Sequence, residues 1–402
     1  MRLERASEKT SWKLLTRIGT FLIILVVGTL ATLVVGEVEG LARADLSNAP
    51  VRAMTATANN EVMYATLTDA ARPGIYRSQN NGRAWERVGA GPGVALNTLA
   101  VHPVNQRVLY AGAAGGPVAT SNNLWRSDDG GQTWHKFFLS LPGNVDGLIP
   151  AVTALAVDPY QPESLYVGTE GQGVYKFDVG QEGIGYELVG GVSLHNANVT
   201  KLVVGPDSEV YALTPEGLYT SRGNDDWQKL DTAPEYPISL AVAPTDADTL
   251  YAGVPSSGAY RSTDGGRTWE NIADGLGLVP GAALRVTALT VDEADSWHVA
   301  AATAYGIGKQ IAGGGIYESK DGGSSWTKLG DTDRIINELT FDDGTIHATS
   351  DEGLVRYNTP DKPAPAIPFL DSFTQFSGLQ LFMLALTTGL GALALVGQKR
   401  WM

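Results

Sequence analysis

Apolar residues follow two regimes along this chain. At both ends they run without interruption. Residues 18–36 are uncharged and include FLIILVVGTLATLVV, and residues 372–398 form a second uncharged run around LQLFMLALTTGLGALALVG. A helix over the first run reaches roughly 28 Å at ~1.5 Å per residue, about the thickness of a bilayer's hydrocarbon core. Between the ends, apolar and polar positions alternate with period two in short runs. These runs are rich in β-branched and aromatic residues and bounded by Gly, Pro, Asn and Asp, so they predict strands.

The strand phrases repeat. Inner strands read RAMTA, NTLAV, TALAV, KLVVG, SLAVA, TALTV and NELTF. Each is followed by a second strand: VMYAT, VLYAG, SLYVG, EVYAL, TLYAG, WHVAA or TIHAT. A third strand then opens with Gly or Asn: GIYRS, NLWRS, GVYKF, GLYTS, GAYRS, GIYES or GLVRY. A hairpin and a fourth strand complete the unit. Third-strand anchors at Tyr76, Trp125, Tyr175, Tyr219, Tyr260, Tyr317 and Val355 stand 38 to 57 residues apart. A four-stranded unit near this period is the blade of a β-propeller. The expectation is an all-β, seven-bladed propeller with one transmembrane helix at each end.

The predicted organisation follows directly. Residues 1–17 are a tail, 18–36 a transmembrane helix and 37–50 a linker or closing strand. Residues 51–358 form the propeller, 359–371 a Pro-rich linker, 372–398 the second transmembrane helix and 399–402 a short tail. Blade seven is the weak point, because NTPDKPAPAIP follows its third strand and prolines break a paired strand. Either that blade has three strands or residues 37–48 supply its edge. Ala42-Arg43-Ala44 has the form of a signal cleavage site, but the apolar run before it is long, which favours a retained anchor.

Charge sets orientation. Arg2, Arg5, Lys9, Lys13 and Arg17 precede the first run, and Lys399 and Arg400 follow the second. The inner flanks carry Glu37, Glu39, Asp45, Asp361 and Asp371. Both termini are expected in the cytoplasm, with the propeller on the outer or periplasmic side of the cell (inner) membrane. The tail carries +3 and the last pair +2, so the stretch between must hold −19 for the whole to reach −14. Such a surface argues against a nucleic-acid partner. The chain has no cysteine, which excludes disulfides and thiolate chemistry.

The hairpins carry the most specific motif. RSTDGGRTWENI places Ser262, Asp264, Gly266, Thr268 and Trp269, and RSDDGGQTWHKF places Ser127, Asp129, Gly131, Thr133 and Trp134. ESKDGGSSWTKL places Ser319, Asp321, Gly323 and Trp326, with Ser325 where the others have Thr. RSQNNGRAWERV is a worn copy. A carboxylate at such a turn accepts backbone N–H bonds, and Gly permits left-handed backbone. These phrases resemble the Asp-box, or BNR, repeat of sialidases, sortilin-type receptors, some endoglucanases and photosystem II assembly-factor propellers. The resemblance implies that the boxes join third to fourth strands, away from the binding surface, in a folding role.

The chemistry of an enzyme is harder to find. Sialidase-like catalysis, as the resemblance implies it, needs an arginine triad and a Tyr–Glu pair. Its Arg-Ile-Pro strand is absent, and Arg52 near that position sits in VRAMTA. Asp146, Glu170, Asp274 and Asp351 show no glycosidase-like pairing. His102, His135, His195, His298 and His347 are scattered, so neither a metal nor a cofactor is expected. Sortilin's Cys-rich segment is missing too.

Four connections are long, and three of them are apolar: LSLPGNVDGLIP, ADGLGLVPGAAL and TAYGIGKQIAGG. Leu141, Leu148, Ile149, Leu276, Leu278, Val279, Tyr305, Ile307 and Ile311 are expected either to form one exposed docking patch or to fold over the central channel. The expected function is a non-enzymatic scaffold, an accessory subunit or assembly factor of a bacterial membrane complex. Its expected partners are other subunits and, through two helices, the lipid bilayer. The alternative is a surface propeller that binds or cleaves glycans.

Overall fold

The computed structural model describes residues 43–44, 46–57, 62–67, 73–117, 123–137, 148–180, 186–189, 191–222, 227–342 and 344–359. Both apolar end runs lie outside these residues, as do the tails. Among the described residues no helix is long and apolar enough to cross a membrane.

The described chain is a seven-bladed β-propeller. Every blade is an antiparallel meander whose first strand lies innermost. Blade 1 runs Val51–Ala56, Met63–Leu67, Gly74–Ser78 and Trp85–Gly89. Blade 5 is typical of the rest: Ser239–Val242, Leu250–Val254, Gly258–Ser262 and a two-residue fourth strand, Glu270–Asn271. Second strands such as Met63–Leu67 and Leu250–Val254 are buried along their whole length. Neighbouring blades cover both of their faces, so they read as apolar runs rather than as alternating ones.

The core is divided among the seams between blades. Seven apolar clusters occur, one per seam; that of blades 5 and 6 joins Tyr251, Ala259 and Ile272 to Leu284, Val286 and Tyr317. Second-strand tyrosines add polar stitches. The Tyr64 hydroxyl donates to the Gln106 carbonyl at 3.0 Å, and the Tyr251 hydroxyl to the Ser296 carbonyl at 2.9 Å, each reaching the next blade. Burial pushes the Tyr251 phenol up to about 12.

Blade 7 has three strands among the described residues: Ile336–Asp342, Thr345–Ser350 and Gly353–Asn358. Among the described residues, none before blade 1 forms a fourth strand on blade 7, and 37–42 lie outside them. Arg43–Ala44 pairs instead with the outer strand of blade 1, opposite Glu86 and Trp85. Leu46 then sits in the closing seam, buried with Leu354 and Tyr76, and its carbonyl accepts the Leu354 N–H at 2.9 Å. Arg334 fastens this stitch, donating to the Ser47 carbonyl at 2.7 Å and to Asn48 Oδ1 at 3.2 Å.

Candidate interaction face

A meander blade puts its first-to-second and third-to-fourth turns on one face of the propeller, here the hairpin face. The second-to-third and fourth-to-first turns share the other, the connection face. On the hairpin face the three Ser-x-Asp-x-Gly turns close on themselves. Asp264 accepts the Thr268 N–H at 2.8 Å, the Thr268 hydroxyl at 2.6 Å and the Ser262 hydroxyl at 2.8 Å. Ser262 Oγ accepts the Gly266 N–H at 2.8 Å, and the Trp269 indole donates to the Gly266 carbonyl at 3.1 Å. Asp129 is held alike by Thr133 and Ser127, and Asp321 by Ser325 and Ser319. Trp326 departs from the pattern and donates to Ile272 of the neighbouring blade at 2.8 Å. Bonds from the Thr268 hydroxyl and N–H hold the Asp264 carboxyl down to about 2. At Asp129 burial works the other way, but the Thr133 bonds prevail and hold it at about 2 as well.

The connection face is different. Among the described residues, twelve large apolar side chains are exposed, and only Val104, Tyr160 and Trp297 belong to hairpin-face turns. The other nine are Val94, Leu188, Tyr236, Ile238, Leu278, Val279, Ile307, Ile311 and Ile335, all at connection-face ends. Blade 6 contributes most, because its middle strands are long: Val299–Ile307 and Gln310–Ser319 pair out to Ile307 opposite Gln310. The expected loop at 303–314 is therefore a projecting hairpin.

The single patch drawn from sequence needs correction. Leu276 is fully buried in the blade 5–6 seam, so that connector folds between blades and neither docks nor covers the channel there. Ile149 is buried as well. Its strand, Leu148–Ile149, pairs with Gly116–Pro117. Leu141 and the Leu148 side chain lie outside what is described. Tyr305 is only partly exposed, because it packs on the seam and its hydroxyl donates to the Gly277 carbonyl at 2.5 Å. Leu278, Val279, Ile307 and Ile311 are exposed, but the two isoleucines lie on opposite sides of the hairpin. Ile307 shares the Tyr305 side, toward Gly277 and Leu278. Ile311 shares the side of Gly313, which abuts the 332–334 connector.

Two cavities were not legible in the sequence. A groove of about 790 Å³ lies on the connection face, lined by Leu188, Ser193, His195, Asn196, Ala197, Glu216 and Tyr219. A second, about 390 Å³, opens along the central channel between the inner strands and includes Glu338. Burial pushes the Glu338 carboxyl up against the opposing pull of Lys201, and pulls the Lys201 amine down against Glu338.

Asp351 accepts from the Asn337 amide at 3.1 Å, and Asp146 lies outside the described residues. His298 lies 2.6 Å from buried Glu318 and 3.6 Å from Asp292. This polar knot has one sequence signal: Glu318 stands where the other third strands have Arg, Lys or Thr. Among the described residues no cluster of three or more His, Asp or Glu is arranged to hold a metal.

No family model matches the chain, and no curated protein matches it. Solved structures do. The GH74 xyloglucanase of Xanthomonas campestris is 18% identical with a TM-score of 0.59, over 81% of this chain and 54% of that one. The chain thus spans about half that enzyme's length. YCF48 from Cyanidioschyzon merolae is 13% identical with a TM-score of 0.55, over 81% of this chain and 100% of its own. YCF48 bound to a D1 peptide is 15% identical with a TM-score of 0.55, over 80% and 97%. Likeness at these identities is likeness of fold.

Proposed function

We propose that this chain is a membrane-tethered scaffold that docks a protein partner on its connection face. Helices at 18–36 and 372–398 hold the propeller outside the cytoplasm, and the three hairpins are Asp boxes with a folding role. The observation that carries this reading is the asymmetry of exposed apolar residues, nine on one face against three on the other among the described residues. Exposed apolar groups gathered on one surface mark contact sites. A protein partner agrees with the peptide-bound YCF48 structure.

The test is native extraction in mild detergent with Leu278→Asp and Ile307→Asp. The expected result is a larger assembly that both variants lose while the thermal unfolding midpoint stays put. An assembly that survives both changes overturns the reading. A second reading rests on the groove at Tyr219, where an aromatic ring, Asn196 and Glu216 line one cleft, a set suited to stacking on and hydrogen-bonding a sugar. The xyloglucanase likeness keeps it in view. Glycan binding on an array, abolished by Tyr219→Ala, would favour it.

A further inference from the structure

Blades 1, 3 and 5 obey one cross-strand rule. The third strand carries a cation, and the fourth strand sets a glutamate opposite it: Arg77 opposite Glu86, Lys176 opposite Glu187, Arg261 opposite Glu270. Arg77 and Arg261 bond their partners at 2.8 Å. Two residues past each glutamate an apolar side chain returns to the seam: Val88, Val189, Ile272. Opposite charges placed across a strand pair stabilise it.

Blade 7 keeps the cation, and among the described residues no fourth strand faces it. Arg356 holds the place of Arg77 and Arg261, in register with His347 on the second strand. Among the described residues its outer edge is used at the connection-face end, where the Leu354 N–H meets the Leu46 carbonyl. Antiparallel alternation turns the main-chain groups of Arg356 and Asn358 outward as well, and no described strand pairs with them. No carboxylate among the described residues acts on Arg356. Burial and the neighbouring charge of Arg83 both lower its pKa. The geometry agrees: Gly82 of the blade 1 hairpin lies against His347, a Cβ there falling 2.6 Å from Cε1, and Arg83 comes next. The positive charges of Arg356 and Arg83 thus act on one another beside an edge that no described strand pairs, in a domain that is otherwise acidic.

We propose that the open edge of blade 7 takes a short extended segment of a partner protein as its fourth strand, with a carboxylate of that segment seated between Arg356 and Arg83. Main-chain bonds to a free edge supply affinity, and the side chain set against the cation supplies selectivity. A short segment is enough, because fourth strands in this molecule are as brief as Glu270–Asn271 and Gln228–Lys229. The repeat also fixes its pattern: a glutamate, any residue, then an aliphatic one. This site lies on a blade edge and stands apart from the connection face.

The test uses the full chain in detergent and the pentapeptide Thr-Trp-Glu-Asn-Ile, the chain's own sequence at 268–272. Versions with Gln or Lys in place of Glu are titrated beside it by NMR. The Glu peptide is expected to bind roughly tenfold more tightly than the Gln peptide. Arg356→Glu should invert the order, so that the Lys peptide binds best, a reversal that misfolding cannot produce. Leu278→Asp should leave the titrations unchanged, which separates this site from the docking face. Equal binding of the Glu and Gln peptides, or no binding of any at millimolar concentration, overturns the proposal. So does self-association of the chain that Arg356→Glu abolishes, since a second copy would then be the occupant.

Discussion

On the hairpin face, Asp264 spends its oxygens on Thr268 and Ser262, and Trp269 bonds the turn it closes. On the connection face, Leu278 and Ile307 are more than half exposed and nothing in the described chain covers them. Both faces turn the chain between strands. One satisfies its turn carboxylates within a few residues, and the other leaves apolar surface exposed. On the proposed reading, the difference separates folding from recognition: turns that carry their own donors and acceptors serve stability, and turns that leave apolar surface serve contact.

The comparison breaks most visibly at Trp85. It is 3% exposed, bonds the Gly82 carbonyl at 3.1 Å and packs in the closing seam. Trp85→Ala should cost about 3–5 kcal/mol of stability, read from denaturant unfolding. Leu278→Asp, at a surface position, should change stability by less than about 0.5 kcal/mol. Similar losses at the two sites would mean that the faces do not divide their work.

Acid should act on the hairpin face next. The Asp129 and Asp264 carboxyls sit at about 2, below their ordinary value of 3.8, so the folded state binds their protons less tightly than the unfolded one. Their contribution is fully present above about pH 4 and is lost as pH falls through about 2. Glu338 works in reverse, because burial raises it, so its contribution is present below its unfolded value and is lost as pH rises through the folded one. The melting temperature should fall between pH 4 and pH 2, and changing Asp129, Asp264 and Asp321 together to Asn should flatten that fall. An unchanged slope would mean the carboxylates are not what acid removes.

The hairpins and the seven blades could be read from sequence because their causes are local. Ser-x-Asp-x-Gly-x-Thr-Trp contains its own donors and acceptors, and period-two runs such as MYATL mark their strands. The connection face could not be read that way. Leu276 and Leu278 are two residues apart in one apolar phrase, yet the first is buried in a seam and the second is exposed. Between them Gly277 takes a left-handed φ of +70° with the Tyr305 and Tyr317 hydroxyls against it, and Leu276 joins the blade 5–6 cluster. The Lys201–Glu338 relation was equally hidden, because it spans blades 4 and 7. The open edge at Arg356 could be sensed from the prolines after it, but its second arginine comes from blade 1.

The smallest predicted effect probes the worn hairpin of blade 1. Asn80 Oδ1 accepts the Ala84 N–H at 2.8 Å and the Ser78 hydroxyl at 3.0 Å, and Ser78 Oγ accepts the Gly82 N–H at 2.9 Å. The frame of the turn thus survives. What it lacks is the second carboxylate oxygen and the hydroxyl that meet at 2.6 Å in Asp264 and Thr268. Asn80→Asp with Ala84→Thr should restore that bond and add less than about 1 kcal/mol, a rise in melting temperature on the order of 2 °C. Either change alone should add less than half of this, since each needs the other, and a double-mutant cycle reads the excess directly. The repaired hairpin should also steepen the loss of stability between pH 4 and pH 2, because a new carboxylate is then held in its ionised form. Partner association on the connection face should not move. A gain without coupling between the two positions would show that the hydroxyl–carboxylate bond is not what stabilises the other three hairpins.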